Sequence, residues 1–265
     1  MKRLLIASLV AVIGGFSFAE TNSVPTGKVR KMTPELRALL KDASYRAFGG
    51  QVRKPGSARG AVAFLNAQKR IPSAEIHKAV NTIDERVHVV CKYADVDAVN
   101  AANPRDEIAR LDCALGVAVV DDAKLPALLV APEDGWAVVN VAPLAESADA
   151  AKSASRVRKE VMRAFALAGG CSFMCRGAEV LRETARPVEL DDIRFEEYGI
   201  DALNHLTLSL PTRGVTPWHQ TTYRKACKEG WAANPTNDVQ KAIWDKVHAL
   251  PSDPIKIKYD PKRDK

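Results

Sequence analysis

The chain reads as an α/β (α+β) protein: a mixed twisted sheet packed on helices, followed by a mostly helical C-terminal extension. Three features predict this. Runs of β-forming residues recur at 60–66, 86–93, 115–122, 125–132 and 135–144, each of strand length. Helical patterns stand between them, at 73–80 and within 95–111. A long helical segment from Ser155 to Ala168 closes the series, and strands mixed with helices in this way belong to the layered α/β classes.

In chain order, residues 20–32 form an irregular lead-in. Thr33 and Pro34 open a helix, one as cap and one in the first turn, and Gly49 with Gly50 stops it. Residues 51–60 are basic and loop-like. Gly60 to Asn66 is a first strand, Ser73 to Val80 a helix, Arg86 to Tyr93 a second strand, and Asp95 to Leu111 a turn plus helix. Three further strands follow, and Asp134-Gly135 between the last two predicts an antiparallel edge. In the long helix Ser155 is the expected N-cap and Gly169-Gly170 the stop. Val157, Val161, Ala164, Phe165 and Ala168 form one apolar stripe. Arg156, Lys159, Glu160 and Arg163 share another face, at spacings where side chains meet.

Beyond Cys175, residues Gly177 to Arg186 read as the end of a helix, and Pro187 to Tyr198 is acidic. Ile200 to Leu210 fits helix or strand. Thr216-Pro217-Trp218 opens a helix that runs to Lys228, and a later amphipathic helix carries Val239, Ile243, Trp244 and Val247. Ile255, Ile257 and Tyr259 alternate with lysines as in a strand. Trp218, Tyr223, Trp231 and Trp244 are expected to pack with their polar tips near the surface.

Read from Lys159, the run Lys-Glu-Val-Met-Arg-Ala-Phe-Ala-Leu-Ala-Gly resembles the zinc helix of the archaemetzincin (metzincin) metallopeptidase family, His-Glu-x-x-His-x-x-Gly-x-x-His-Cys. Glu160 matches the family glutamate. Lys159 and Arg163 fall on the two helical histidines, Ala166 on the glycine and Gly169 on the third histidine, with Cys171 one residue late. The three strand segments from 115 to 144 are similar in order and spacing to those that precede the family's helix. The resemblance covers residues 60–175. It implies a metzincin-like lobe over that range, an N-terminal helix and linker at 20–59, and an extension at 176–265 packed on the lobe.

The same resemblance implies a degenerate member. A catalytic zinc needs three ligands with lone pairs; an ammonium and a guanidinium repel the metal, and glycine offers no side chain. The family's second, cysteine-rich site lacks its later Cys-x-x-Cys, and Gly177 stands where the family methionine would. No metal or cofactor is expected, and Glu160, the only retained catalytic position, has no metal-bound water to activate. It reads instead as a helix carboxylate neutralised by Arg156, Lys159 or Arg163. If the family cleft is kept, Lys159 and Arg163 point into it. With Arg156 they form a cationic face for a carboxylate, sulfate or phosphate, or a salt-bridged seam against the acidic Glu189 to Glu197 stretch.

The N-terminus resembles a secretory signal: Lys2 and Arg3, an apolar core from Leu4 to Phe16, and Ser17-Phe18-Ala19 before a cleavage point at Glu20. No stretch is long enough for a stable membrane span. The 39 basic and 32 acidic side chains give a formal charge of +7; without the two charges of Lys2 and Arg3 it is +5. This dispersed excess, with no recognised motif, does not predict nucleic-acid binding. An exported chain permits disulfides, and the candidates are Cys91 with Cys113, and Cys171, Cys175 and Cys227 among themselves. The expected function is that of an exported, periplasmic or extracellular, non-catalytic protein that binds or scaffolds an unknown protein or an anionic ligand. The alternative is a hydrolase of metal-independent chemistry, with Lys159 as base or nucleophile beside Glu160. A third class is an interaction module that adds its Ile255 to Tyr259 strand to a partner's sheet.

Overall fold

The computed structural model describes residues 49–249, apart from residues 70, 147 and 174–178. The expected signal segment, the helix at Thr33, Cys175, Gly177 and the Ile255 to Tyr259 strand lie outside the described residues. Every described residue belongs to one compact unit.

A five-stranded sheet is built from β2 (Val62–Ala67), β3 (Cys91–Val96), β4 (Leu115–Val120), β5 (Leu128–Ala131) and β6 (Trp136–Asn140). Its order is β3-β2-β4-β6-β5. The first four in that order are parallel neighbours, whereas β5 pairs antiparallel with β6 from Leu128↔Val139 to Ala131↔Trp136. The expected antiparallel edge is therefore present. A 3-10 turn, Pro132–Asp134, ends on Gly135 at φ 74°, a left-handed position that glycine adopts without steric cost.

Alternate residues of the parallel strands face opposite layers. Val62, Phe64, Val117, Val119, Ala137 and Val139 pack under helices α1 (Ser73–Val87) and α4 (Ala150–Ala168). Ala63, Leu65, Ala118, Val120 and Val138 pack with Ile108 of α2 (Arg105–Arg110). A short α3 (Val141–Ala145) leads from β6 towards α4.

The first layer continues into the C-terminal part. Leu190, Ile193, Tyr198, Ala202, Leu206, Leu210 and Val215 belong to the same apolar cluster as the sheet and α4. They come from a 3-10 turn, Pro187–Asp192, and from α5 (Ile200–Thr212) with its flanks. Strand β7 (Gln220–Thr222) pairs with β1 (Gln51–Arg53), and α6 (Tyr223–Lys228) and α7 (Asp238–His248) complete the described chain. Tyr223 is buried in this region, and its hydroxyl donates to the Ala233 carbonyl at 2.8 Å.

Several expectations are corrected. The second strand starts at Cys91, because the stripe Ile76, Ala79, Val80, Ile83, Val87 carries α1 on to a left-handed cap at His88. Helix α4 begins a turn before Ser155, since Asp149 accepts from the Lys152 amide at 2.8 Å. Residues 179–186 are turned rather than helical. Residues 51–53 pair with 220–222 as strands and Arg59 bridges Thr216, so the helix expected at Thr216 starts at Tyr223, capped by Thr222.

No two described cysteines bond. Cys91, Cys113, Cys171 and Cys227 are all free thiols. Strand β2 lies between β3, which begins with Cys91, and β4, which Cys113 precedes. Two strand spacings, roughly 10 Å, separate those lines of chain, beyond the reach of a disulfide. Burial pushes the Cys91 thiol up to about 12 and Cys171 up to about 11, and raises Cys113 and Cys227 as well, so none is an activated nucleophile. No described helix is long and apolar enough to cross a membrane.

Candidate functional site

Helix α4 carries the expected polar face, but that face does not meet water. Arg156 is 1% exposed, Lys159 6%, Glu160 4% and Arg163 2%. The apolar stripe of the helix lies on the sheet, and residues 184–198 cover the other side. Buried charges must be paired or hydrogen-bonded, and the covering segment supplies most of the partners.

Arg156 holds Asp191 bidentately, Nε to Oδ1 at 2.9 Å and Nη2 to Oδ2 at 2.7 Å, and donates Nη1 to the carbonyls of Leu144 and Glu146. The hydrogen bonds to Asp191 raise its pKa further, and Arg156 in turn holds the Asp191 carboxyl below the usual carboxylate range. Arg158, which the sequence reading passed over, grips Glu196 at 2.9 Å through both Nε and Nη2 and also reaches Glu75 of α1. Ser155 donates to Glu196 at 3.0 Å instead of capping its helix. The Lys159 amine donates to the Leu190 carbonyl at 2.8 Å, and burial pushes its pKa down. The salt-bridged seam is thus real for Arg156 and Arg158, while Lys159 is tied to the main chain.

Glu160 and Arg163 are different. They line a cleft of about 370 Å³ between the entry to β5, at Pro126, Ala127 and Leu128, and residues 184–187. Arg163 Nη1 donates to Thr184 Oγ1 at 2.6 Å and stands 3.3 Å from Glu160 Oε2. The Phe173 ring centroid lies 4.7 Å from its guanidinium carbon, a cation–π distance. Glu160 Oε2 and Arg163 Nε are buried without a hydrogen-bond partner among the described residues. Burial raises the Glu160 carboxyl to about 7 even though Arg163 pulls the other way. Lys159, expected in the cleft, does not line it, and neither does Arg156 of the expected cationic face.

Lys159, Arg163 and Gly169, which the sequence resemblance sets against zinc ligands, do not fit a zinc ion. Both side chains of the first two donate hydrogen bonds, and a protonated ammonium or guanidinium has no lone pair to give a metal. At Gly169 an added Cβ would lie 2.8 Å from Leu206 Cδ2, a buried side chain, so even the start of a side chain is crowded there. Among the described residues no three His, Cys, Asp or Glu side chains come together as a metal site.

The chain is similar in fold to two solved structures. One is the archaemetzincin of Methanopyrus kandleri, at 16% identity and a TM-score of 0.48, covering 60% of this chain and 99% of that one. The other is a zinc-dependent peptidase of Methanocorpusculum labreanum, at 13% identity and a TM-score of 0.43, covering 54% of this chain and 99% of that one. No family model and no curated protein matches the chain.

The sequence reading also missed Asn140. Its buried side chain donates to the carbonyls of Asp122 and Leu125, both at 2.7 Å, and accepts from the Asp122 and Ala142 amides. It thereby fixes the loop that brings Pro126 and Ala127 to the cleft. An asparagine at the end of a strand was the available signal, since that side chain readily bonds neighbouring backbone. Thr184 and Phe173 carried no signal in the sequence at all.

Proposed function

We propose that the chain is an exported, non-catalytic binding protein built on a degenerate metallopeptidase frame, and that the cleft over Glu160 and Arg163 is its binding site. The observation that carries this reading is the commitment of the two helical ligand positions. Lys159 and Arg163 brace residues 184–190 through Leu190 O and Thr184 Oγ1, so the side chains that replace imidazoles serve the architecture of the cleft wall. The sequence resemblance in order and spacing supports descent from a peptidase frame. The expected cationic pair in the cleft is replaced by an Arg163–Glu160 pair.

Metal analysis and peptide hydrolysis by the purified mature chain test this. The expected result is no stoichiometric zinc and no metal-dependent cleavage; zinc bound within 159–175 overturns the proposal. Export is tested separately: N-terminal sequencing of the secreted chain is expected to begin at Glu20, and retention of Met1 in the cytoplasm would refute it.

One observation favours a second reading, metal-independent hydrolysis. Glu160 titrates near neutrality in a cleft, as a general acid–base group does. Lys159 is not assigned to this chemistry, because its amine donates to Leu190 O and it is not among the residues that line the cleft. Turnover of an ester or peptide panel that disappears in Glu160→Gln would establish that reading in place of the first.

A further inference from the structure

Helix α4 treats its three arginines unequally. Arg156 and Arg158 each hold a carboxylate side-on through the Nε and Nη2 edge, Asp191 for one and Glu196 for the other. Among the described residues, Arg163 reaches Thr184 and Glu160 through Nη1 alone, and its Nε has no hydrogen-bond partner. A buried guanidinium with that edge unfilled is short of the planar, two-oxygen acceptor it matches best.

We propose that the free edge of Arg163 receives the carboxylate of a small ligand whose apolar body fills the cleft. This rests on reading the cleft as the binding site and names the ligand class for it. The cleft's volume of about 370 Å³ is that of a small-molecule site. Its lining is apolar at Pro126, Ala127, Leu128, Pro143 and Leu190, which suits a hydrocarbon or ring behind the acid group. Phe173 stacks over the guanidinium, whose carbon is 4.7 Å from its ring centroid, so a ligand acid group would meet the guanidinium from another side. Arg186 at the rim adds a second cation, shared with Glu189 at 3.1 Å.

The group that opposes an acid here is Glu160. Burial raises its carboxyl to about 7, so on the acid side of neutrality it is protonated, no longer repels an anion and presents an O–H donor. The other charged groups around the pair are Lys159 on the helix and Glu183, Arg186, Glu189 and Asp191 on the covering segment; the Pro126 to Leu128 and Pro143 side contributes none. Lys159 is held by Leu190, Asp191 by Arg156 and Glu189 by Arg186. Glu160 is therefore the group whose protonation sets how well an acid binds.

The test titrates the mature chain with phenylacetate and hexanoate, and in parallel with phenylacetamide and hexanamide, by calorimetry. The acids are expected to bind and the amides to bind about tenfold more weakly or worse. Acid binding is expected to tighten several-fold from about pH 8 to about pH 6. Arg163→Lys keeps the charge and removes the edge, and is expected to weaken the acids by about tenfold. If that variant does not fold, the acid–amide difference and the pH trend of the unaltered chain decide alone. Equal binding of acid and amide, or no saturation by either in the millimolar range, overturns the proposal. Amides that bind while acids do not would sink the carboxylate assignment and leave the cleft reading standing, whereas stoichiometric zinc would sink the cleft reading itself.

Discussion

Glu160 is the residue whose charge is least at ease. Its pKa of about 7 in the folded chain, against an ordinary 4.5, means the folded state holds a proton that the unfolded state has released. The raised value contributes stability that is complete below about pH 4.5 and lost as pH rises through about 7. The full difference is on the order of 3 kcal/mol. Glu160→Gln removes the titration while keeping the shape, so it is expected to be more stable than the parent by up to that amount at about pH 8 and equal to it at about pH 4. Urea unfolding at both pH values measures this; a variant less stable at the higher pH would mean that Arg163 holds the carboxylate ionised.

Asp191 has the opposite sign. Hydrogen bonding to Arg156 lowers its pKa, so its contribution is present above the unfolded value and lost as pH falls through the folded one. Its side chain is 30% exposed, yet its partner Arg156 is only 2% exposed. Asp191→Ala is therefore expected to cost about 3–5 kcal/mol, the penalty of stranding a buried charge, where an ordinary half-exposed aspartate would cost far less. Denaturant midpoints decide between the two. The sequence placed Arg156, Lys159, Glu160 and Arg163 on one helix face and named the acidic stretch as a possible partner. It did not place Lys159 on a backbone carbonyl, because a carbonyl acceptor has no residue-type signature.

At the scale of elements, the strands and helices of the sheet layer were legible because both faces of the sheet are buried and the β-forming runs are unbroken. Errors fell where two signals overlapped. Arg86 to Tyr93 is rich in β-formers, yet Val87 completes the stripe of α1, and burial of that stripe prevails over local propensity. In α4 both Asp149 and Ser155 are able to cap, and Asp149 does so because Ser155 is engaged by Glu196. The amphipathic pattern of α4 suggested a water-facing polar side. What covers that side is an irregular segment with no periodicity, which pattern reading has no means to dock.

One element-level contact gives a sharp prediction. Gly116 in β4 lies directly beneath Ile108 of α2, and an added Cβ would run into that side chain. Gly116→Val is expected to destabilise by about 1–3 kcal/mol through overpacking. Ile108→Ala in the same chain is expected to recover part of that loss by making room, so the pair should be non-additive. Thermal unfolding of the two single variants and the double variant measures the coupling. Strict additivity would show that α2 rides clear of the sheet.

At the scale of the molecule, the decisive feature is that one apolar cluster runs from the sheet through α4 into residues 180–215. A segment that merely leaned on a finished lobe would open by itself at low cost. Here Leu206 is fully buried and stands against the end of α4 at Gly169, so losing it opens a cavity next to the helix that lines the cleft. Leu206→Ala is expected to cost about 2–5 kcal/mol. If the described chain opens as one unit, the slowest-exchanging amides of β2 and β4 must lose protection by the same free energy as those of α5. Native-state hydrogen exchange on the variant reads this directly. Sheet amides that keep their protection while α5 loses its own would separate the C-terminal part as an independent unit. The wall of the cleft formed by residues 184–190 would then be able to open without unfolding the sheet, and the Arg163 site would come and go with it.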